Sequence, residues 1–262
     1  MDLALQDKLA LVSGSTKGIG FAIAKALAAE GARVIVNGRS DSSVREALAA
    51  IRASLPDAAL EGFAADLATA EGAAEIVRRY PAPEILVNSL GIYEPQPFEE
   101  ISDDEWRRFF EINVLSAVRL SRAYLPGMKQ RNWGRIVFIS SESGIQIPAE
   151  MIHYGMTKTA LLAVSRGIAE TCVGTGVTSN AVLPGPTLSA GVQDFVTKLS
   201  EGKSFEEFEK EFFTEVRPTS LLKRFAAPAE VASLVAYLCS PLSSATNGAA
   251  LRVDGGVVKA CF

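Results

Sequence analysis

Leu9-Ala10-Leu11-Val12 runs straight into Ser13-Gly14-Ser15-Thr16-Lys17-Gly18-Ile19-Gly20 and then into an alanine-rich stretch ending at Glu30. A second apolar run, Arg33-Val34-Ile35-Val36-Asn37, follows at once. Strand, glycine turn, helix and strand in this order predict a βαβ unit with two parallel strands. Glycine allows a sharp turn and close approach of backbone, and the free N–H groups and positive dipole end of the helix attract a pyrophosphate. The spacing is GxxxGxG rather than GxGxxG, and a glycine turn alone also serves turns that bind nothing. The completed βαβ unit points it toward a dinucleotide.

In dinucleotide folds the end of the second strand reads the adenine ribose: a carboxylate pairs with the 2′-hydroxyl of NAD, whereas arginine accommodates the 2′-phosphate of NADP. Gly38, Arg39 and Ser40 stand there, with no acid before Asp41, and Lys17 in the turn adds a second cation. Two cations and no carboxylate favour NADP(H) over NAD(H). The alternative is a pair of solvated basic residues at loop ends.

The alternation then continues. A helix over 41–53 leads to a strand ending at Ala64-Ala65-Asp66-Leu67, a helix over about 69–79 and a strand at 84–88. Ser102-Asp103-Asp104-Glu105 is a capping box opening a long helix to about Met128. Strands at 135–139, 177–182 and 249–253 and helices to about Thr171 and from Pro228 complete the series. Near-continuous apolar strands predict a doubly wound, mostly parallel sheet with helices on both faces, an α/β fold. No linker or repeat interrupts it, so 1–262 reads as a single domain. Residues of about 188–217 depart from the pattern: Phe195, Phe205, Phe208, Phe212 and Phe213 among Glu and Lys predict one or two inserted amphipathic helices. These could cover an apolar substrate or only bury the insertion against the core.

With 48% hydrophobic residues and a net charge of −4, the chain has core enough and no basic footprint for nucleic acid or an anionic membrane. Neither partner is expected. Cys172, Cys239 and Cys261 lack a CxxC pair, arguing for a reducing compartment and buried small hydrophobes rather than disulfides or a metal site. Without a leader or a long apolar run, a cytoplasmic location is expected.

Tyr154 and Lys158 are four residues apart, on one face of a helix. An ammonium about 5 Å from a phenol would lower its pKa by roughly two units, toward acid–base use near neutrality. The same spacing arises by chance on amphipathic helices. His153, the single histidine, points about 100° away from Tyr154 and reads as structural or substrate-lining.

With these segments placed, the whole chain resembles the short-chain dehydrogenase/reductase family. The family's TGxxxGIG appears as Ser13-Gly14 through Gly18-Ile19-Gly20, its adenine-contacting aspartate as Asp66 beside Leu67, and its NNAG as Asn88-Ser89-Leu90-Gly91. Its catalytic Asn, Ser, Tyr and Lys match Asn113, Ser141, Tyr154 and Lys158, with Ser141 thirteen residues before Tyr154. Pro184-Gly185 matches its PG motif, with Thr187 and Ser189 where members bind the carboxamide and phosphates of the cofactor. Ser13 in place of Thr keeps the hydroxyl, and Leu90 is bulkier than the family's Ala.

The resemblance implies a single-domain Rossmann fold with a seven-stranded sheet, and hydride transfer between a nicotinamide and a carbonyl or secondary alcohol. Tyr154 would be the acid/base, Ser141 would hold the substrate oxygen, Lys158 would bind the nicotinamide ribose, and Asn113 would hold a water leading from Lys158 to solvent. It implies a small-molecule substrate and a homo-oligomer, commonly a tetramer. Tyr93, Glu142, Ile147, His153 and Phe195 are the candidate substrate residues, and the insertion would set specificity. A catalytically silent dinucleotide-binding sensor or scaffold is the alternative, as is an isomerase or dehydratase using the cofactor transiently.

Overall fold

Leu11, Leu86, Ile136 and Leu183 point to one side of their strands, and Val12, Val87, Val137 and Val182 to the other. Because side chains alternate with a period of two, such runs must be buried on both faces, and a parallel sheet between two helical layers does this. The computed structural model describes residues 2–188 and 204–261. Its strands are β1 (Leu9–Val12), β2 (Arg33–Gly38), β3 (Leu60–Ala64), β4 (Ile85–Asn88), β5 (Gly134–Ile139), β6 (Val177–Pro184) and β7 (Ala250–Val253). They form one sheet of order β3-β2-β1-β4-β5-β6-β7, parallel throughout.

The helices are α1 (Gly18–Ala29), α2 (Asp41–Ser54), α3 (Ala70–Arg79), α4 (Asp103–Phe110), α5 (Ser116–Gln130), α6 (Ile152–Thr171), α7 (Phe205–Glu211) and α8 (Pro228–Cys239). Ile23 and Leu27 of α1, Ala47 and Ile51 of α2, and Val231 and Val235 of α8 cover one face. Ile76 of α3, Leu120 and Tyr124 of α5, and Leu161 of α6 cover the other. The order reverses between β1 and β4, and the crevice above that switch point is where a doubly wound sheet binds ligands.

Some boundaries differ from the pattern. β3 stops at Ala64 because Asp66 and Thr69 turn to accept from Ala68 N–H and Gly72 N–H, the latter capping α3. The long helix expected over 102–128 is divided by a π-helical turn at Glu111–Leu115. Periodicity does not register one widened turn, because the apolar residues on either side stay nearly in phase. Of the insertion, α7 and a π-helical turn at Phe212–Val216 are described; Ser189 and Phe195 lie outside the described residues. Cys172 and Cys239 are buried as expected, but Cys261 is exposed. No helix among the described residues is long and apolar enough to cross a membrane.

Arg135 is fully buried with no carboxylate beside it among the described residues. Its guanidinium donates to the carbonyls of Ser240, Gly134 and Gly176 and lies 4.8 Å from the Trp133 ring. Ser240 caps the C-terminus of α8, where the helix dipole favours a cation. Arg135→Met keeps the bulk but strands three acceptors, and should cost about 3 kcal/mol. A urea-denaturation midpoint equal to wild type would show that these bonds carry no net stability.

Candidate active site

Ser13 Oγ accepts from Ser89 N–H (3.0 Å) and Leu90 N–H (3.2 Å), tying the end of β1 to the chain leaving β4. The hydroxyl that substitutes for threonine therefore has a defined task. Asn37, at the end of β2, accepts from Gly14 N–H (3.1 Å) and donates to Phe63 and Ala65 carbonyls (3.1 Å each). Ser15 Oγ–H bonds the Val12 carbonyl, and Ser15 Oγ accepts from Asn37 N–H. Four strand ends, those of β1, β2, β3 and β4, are thus bound into one floor under the glycine turn.

Gly14 and Gly18 have φ of +61° and +59°, where a side chain would be strained. A Cβ on Gly20 would lie 2.4 Å from the Gly14 carbonyl oxygen, so the turn closes on α1 only with glycine there. Lys17 occupies the N-cap of α1 without a side-chain cap, leaving the first N–H groups of the helix facing the crevice. Lys17, Arg39 and Ser40 are exposed at its rim; Ser40 caps α2, and Gly38 is pressed against Thr16. Asp66 is exposed and Leu67 buried beside it. Asn88 donates to Ser121 Oγ, while its buried Oδ1 has no partner among the described residues. Gly91 passes so close that a Cβ would stand 3.3 Å from Lys158 Nζ.

The π-helical turn holds Asn113. Its Oδ1 accepts from Ile92 N–H (2.7 Å), and its Nδ2 donates to the Ile92 carbonyl and to Thr157 Oγ (3.0 Å each). Such turns gather at functional sites because they aim a side chain that a regular helix would point elsewhere. Here the carboxamide is spent on positioning the Gly91–Ile92 backbone and α6.

Ser141 follows β5, Tyr154 and Lys158 lie one turn apart on α6, and the structure brings all three together. Lys158 Nζ donates to the Ile139 carbonyl (3.0 Å) and stands 5.5 Å from the centroid of the Tyr154 ring. Burial brings the lysine down to about 8. The phenol is pushed up to about 12 by burial, against the lowering effect of its hydrogen bond with Ser141. This corrects the expectation that Lys158 depresses Tyr154: the ammonium is aimed at a backbone carbonyl, and desolvation of the phenolate outweighs it.

A cavity of about 410 Å³ opens in front of Tyr154 and Ser141. Tyr93 packs edge-on against Tyr154, with ring centroids 6.2 Å apart. Glu142, Thr187, Phe208 and Phe212 also line it, while Pro184 and Gly185 form its side toward the glycine turn. Gly185 fits under Asp254, where a Cβ would come within 2.6 Å of the carbonyl oxygen. Two candidate substrate residues are excluded from the lining. His153 is fully buried on the opposite side of α6, 3.9 Å from the Phe109 ring centroid and 6.0 Å from Trp106, and neither ring nitrogen has a partner among the described residues. Ile147 packs on the outside of α6, where a Cβ on Gly155 would meet it at 2.8 Å. Arg217, Glu150 and Asn37 entered the site unannounced; Arg217 is the last residue before Pro218, and nothing in its local pattern marks it.

A family model described as enoyl-(acyl carrier protein) reductase matches residues 14–258. The chain belongs to the short-chain dehydrogenase/reductase family and is an oxidoreductase of that type. It is 49% identical to the uncharacterized oxidoreductase YvaG of Bacillus subtilis, the match covering 100% of both chains. It is 35% identical to a D-beta-hydroxybutyrate dehydrogenase of Cupriavidus necator, over 97% of this chain and 99% of that protein. The structure of L-sorbose reductase from Gluconobacter frateurii, complexed with NADPH and L-sorbose, superposes with a TM-score of 0.91 at 30% identity, covering 99% of this chain and 100% of that one.

Lys158 carries a stability consequence. Its folded pKa of about 8 lies below the usual value near 10.4, so the unfolded chain binds the proton more tightly and stability rises with pH across that interval. At pH 7 the buried charge is fully penalised. Lys158→Met should therefore raise the melting temperature at pH 7 and lose that advantage by pH 10. A thermal-shift series in which the difference is flat with pH would contradict this.

Proposed function

We propose that the protein interconverts small carbonyl compounds and their alcohols with NADP(H) as the preferred cofactor, Tyr154 serving as the acid/base. The observation that supports this most is the meeting of the Tyr154 hydroxyl and Ser141 at the wall of a cavity that also reaches Ile19 of the glycine turn, with the Lys158 ammonium buried behind them. The residues at the crevice suit the cofactor: uncapped N–H groups of α1 for the pyrophosphate, Gly14 and Gly18 at positive φ, and Lys17 and Arg39 at the rim without an opposing acid before Asp41.

When bound, the nicotinamide supplies hydride for reduction or accepts it in oxidation. The chain's own residues manage the oxygen. Ser141 holds the carbonyl oxygen beside the Tyr154 hydroxyl, which donates its proton as negative charge develops there. A phenol held at about 12 is fully protonated at neutral pH and so is loaded for reduction. Oxidation needs the phenolate, so its rate should climb with pH, while reduction falls on the alkaline side. Lys158, buried behind the pair, would hold the nicotinamide ribose, and Asn113 sets the Gly91–Ile92 backbone beside it. Asp66, Leu67, Asn88 and Ser89 would hold the adenosine side. The same reading takes the chain as one domain, assembled as a homo-oligomer in the cytoplasm.

Tyr154→Phe should lower turnover at least about a thousandfold while NADPH affinity, read by fluorescence titration, changes less than about threefold. Substantial residual turnover would remove Tyr154 from the acid/base role. Arg39→Asp should raise the Kd for NADPH by at least about tenfold and leave or improve that for NADH. Equal effects on both would dissociate Arg39 from the 2′-phosphate.

A further inference from the structure

Glu142 follows Ser141 directly and is buried against the reacting phenol. Its Oε1 accepts from Arg217 Nε (2.9 Å) and its Oε2 from Ser143 Oγ–H (2.6 Å). Arg217 reaches back from the end of the α7 segment, and its Nη1 also approaches Glu150 Oε1 at 3.4 Å. All four residues line the cavity with Tyr154. From this geometry we infer that the cavity selects an uncharged carbonyl compound bearing hydroxyl groups beyond the reacting carbon, with the Glu142–Arg217 pair reading those hydroxyls. The inference rests on the oxidoreductase reading above and names its substrate class.

Three features carry it. Arg217 is the single cation among the described lining residues, and it is already held by two carboxylates. Glu215 also lines the cavity, so among the described residues Glu142, Glu150 and Glu215 set three carboxylates against one guanidinium, and a keto acid or phosphate-bearing thioester meets repulsion. An ionised carboxylate offers about four acceptor sites, and Arg217 and Ser143 occupy one each. The remaining lone pairs want O–H donors from the substrate, which a hydrocarbon ketone lacks; burying them against carbon is unfavourable. On the other wall Tyr93, Phe208, Phe212 and Val216 present apolar surfaces to the C–H edges of a hydroxylated chain. The arrangement discriminates by unmet hydrogen bonds, the stronger form of selectivity.

The test is steady-state reduction with NADPH of erythrulose (neutral, hydroxylated), acetoacetate (anionic), acetoacetyl-CoA (a phosphate-bearing thioester) and 2-hexanone (apolar). Wild type should favour erythrulose in kcat/KM by roughly a hundredfold over each of the others. Glu142→Gln should raise the KM for erythrulose about tenfold with kcat changed less, and shrink its preference over acetoacetate by a similar factor. Glu150→Gln, at the exposed mouth and free of folding risk, should shift that same preference about threefold. A wild type preferring acetoacetate, the thioester or 2-hexanone overturns the inference, as does a ranking that both variants leave intact. Turnover of none of the four overturns the oxidoreductase reading instead. Thermal shifts with erythritol and with 3-hydroxybutyrate then decide the inference: selective stabilisation by the neutral polyol upholds it, and any other pattern overturns it.

Discussion

Apolar burial on both faces of a parallel sheet pushes the polar groups of a ligand site toward the strand ends. Everything chemical in this protein follows from that constraint. β1 and β4 spend their interiors on Leu, Ile, Val or Ala, as do the C-terminal halves of β5, with Phe138 added, and β6, and the hydroxyls and carboxamides of the site collect where these strands stop. Ser13, Asn37, Asn88 and Ser141 all stand at or just past a strand's C-terminal end. The reversal of strand order between β1 and β4 opens the crevice there, and the carbonyls and N–H groups freed at these ends are paired by side chains rather than by another strand.

Placing ionisable groups in that crevice costs stability, and the costs point to use. A buried ammonium held by one backbone carbonyl and a phenol held by one serine are poor choices for stability alone. They sit side by side, one pushed down and the other pushed up, as expected where proton control matters more than packing. The Glu142–Arg217 pair extends this local polarity to the cavity wall and joins the loop after β5 to the end of the α7 segment. Arg135 is the contrast: a buried cation as well, but locked by three carbonyls at the opposite, N-terminal edge of the sheet, where it anchors α8.

The α/β class, the strand series, the glycine turn and the Tyr154–Lys158 helix are written in local patterns, because strand period, helix period and turn chemistry depend on neighbours a few residues apart. The count of seven strands and the convergence of Asn113, Ser141, Tyr154 and Lys158 came through the family resemblance, whose motifs stand in the right order along the chain, while the strand order came from the structure. What local pattern could not carry was the direction of side chains. The π-helical turn that aims Asn113 at Ile92 leaves no mark in the apolar periodicity, His153 differs from Tyr154 only by the side of α6 it faces, and Ile147 sits in the loop before α6 against Gly155. Likewise the spacing of Tyr154 and Lys158 shows that the two are near, but desolvation decides which way their pKa values move. The sequence alone determined which residues stand at the strand ends and that they suit a dinucleotide and a proton donor. Only the tertiary structure decided that Arg217, 75 positions from Glu142, closes the cavity against it, because an ion pair between distant segments depends on the packing of the whole chain and has no local signature.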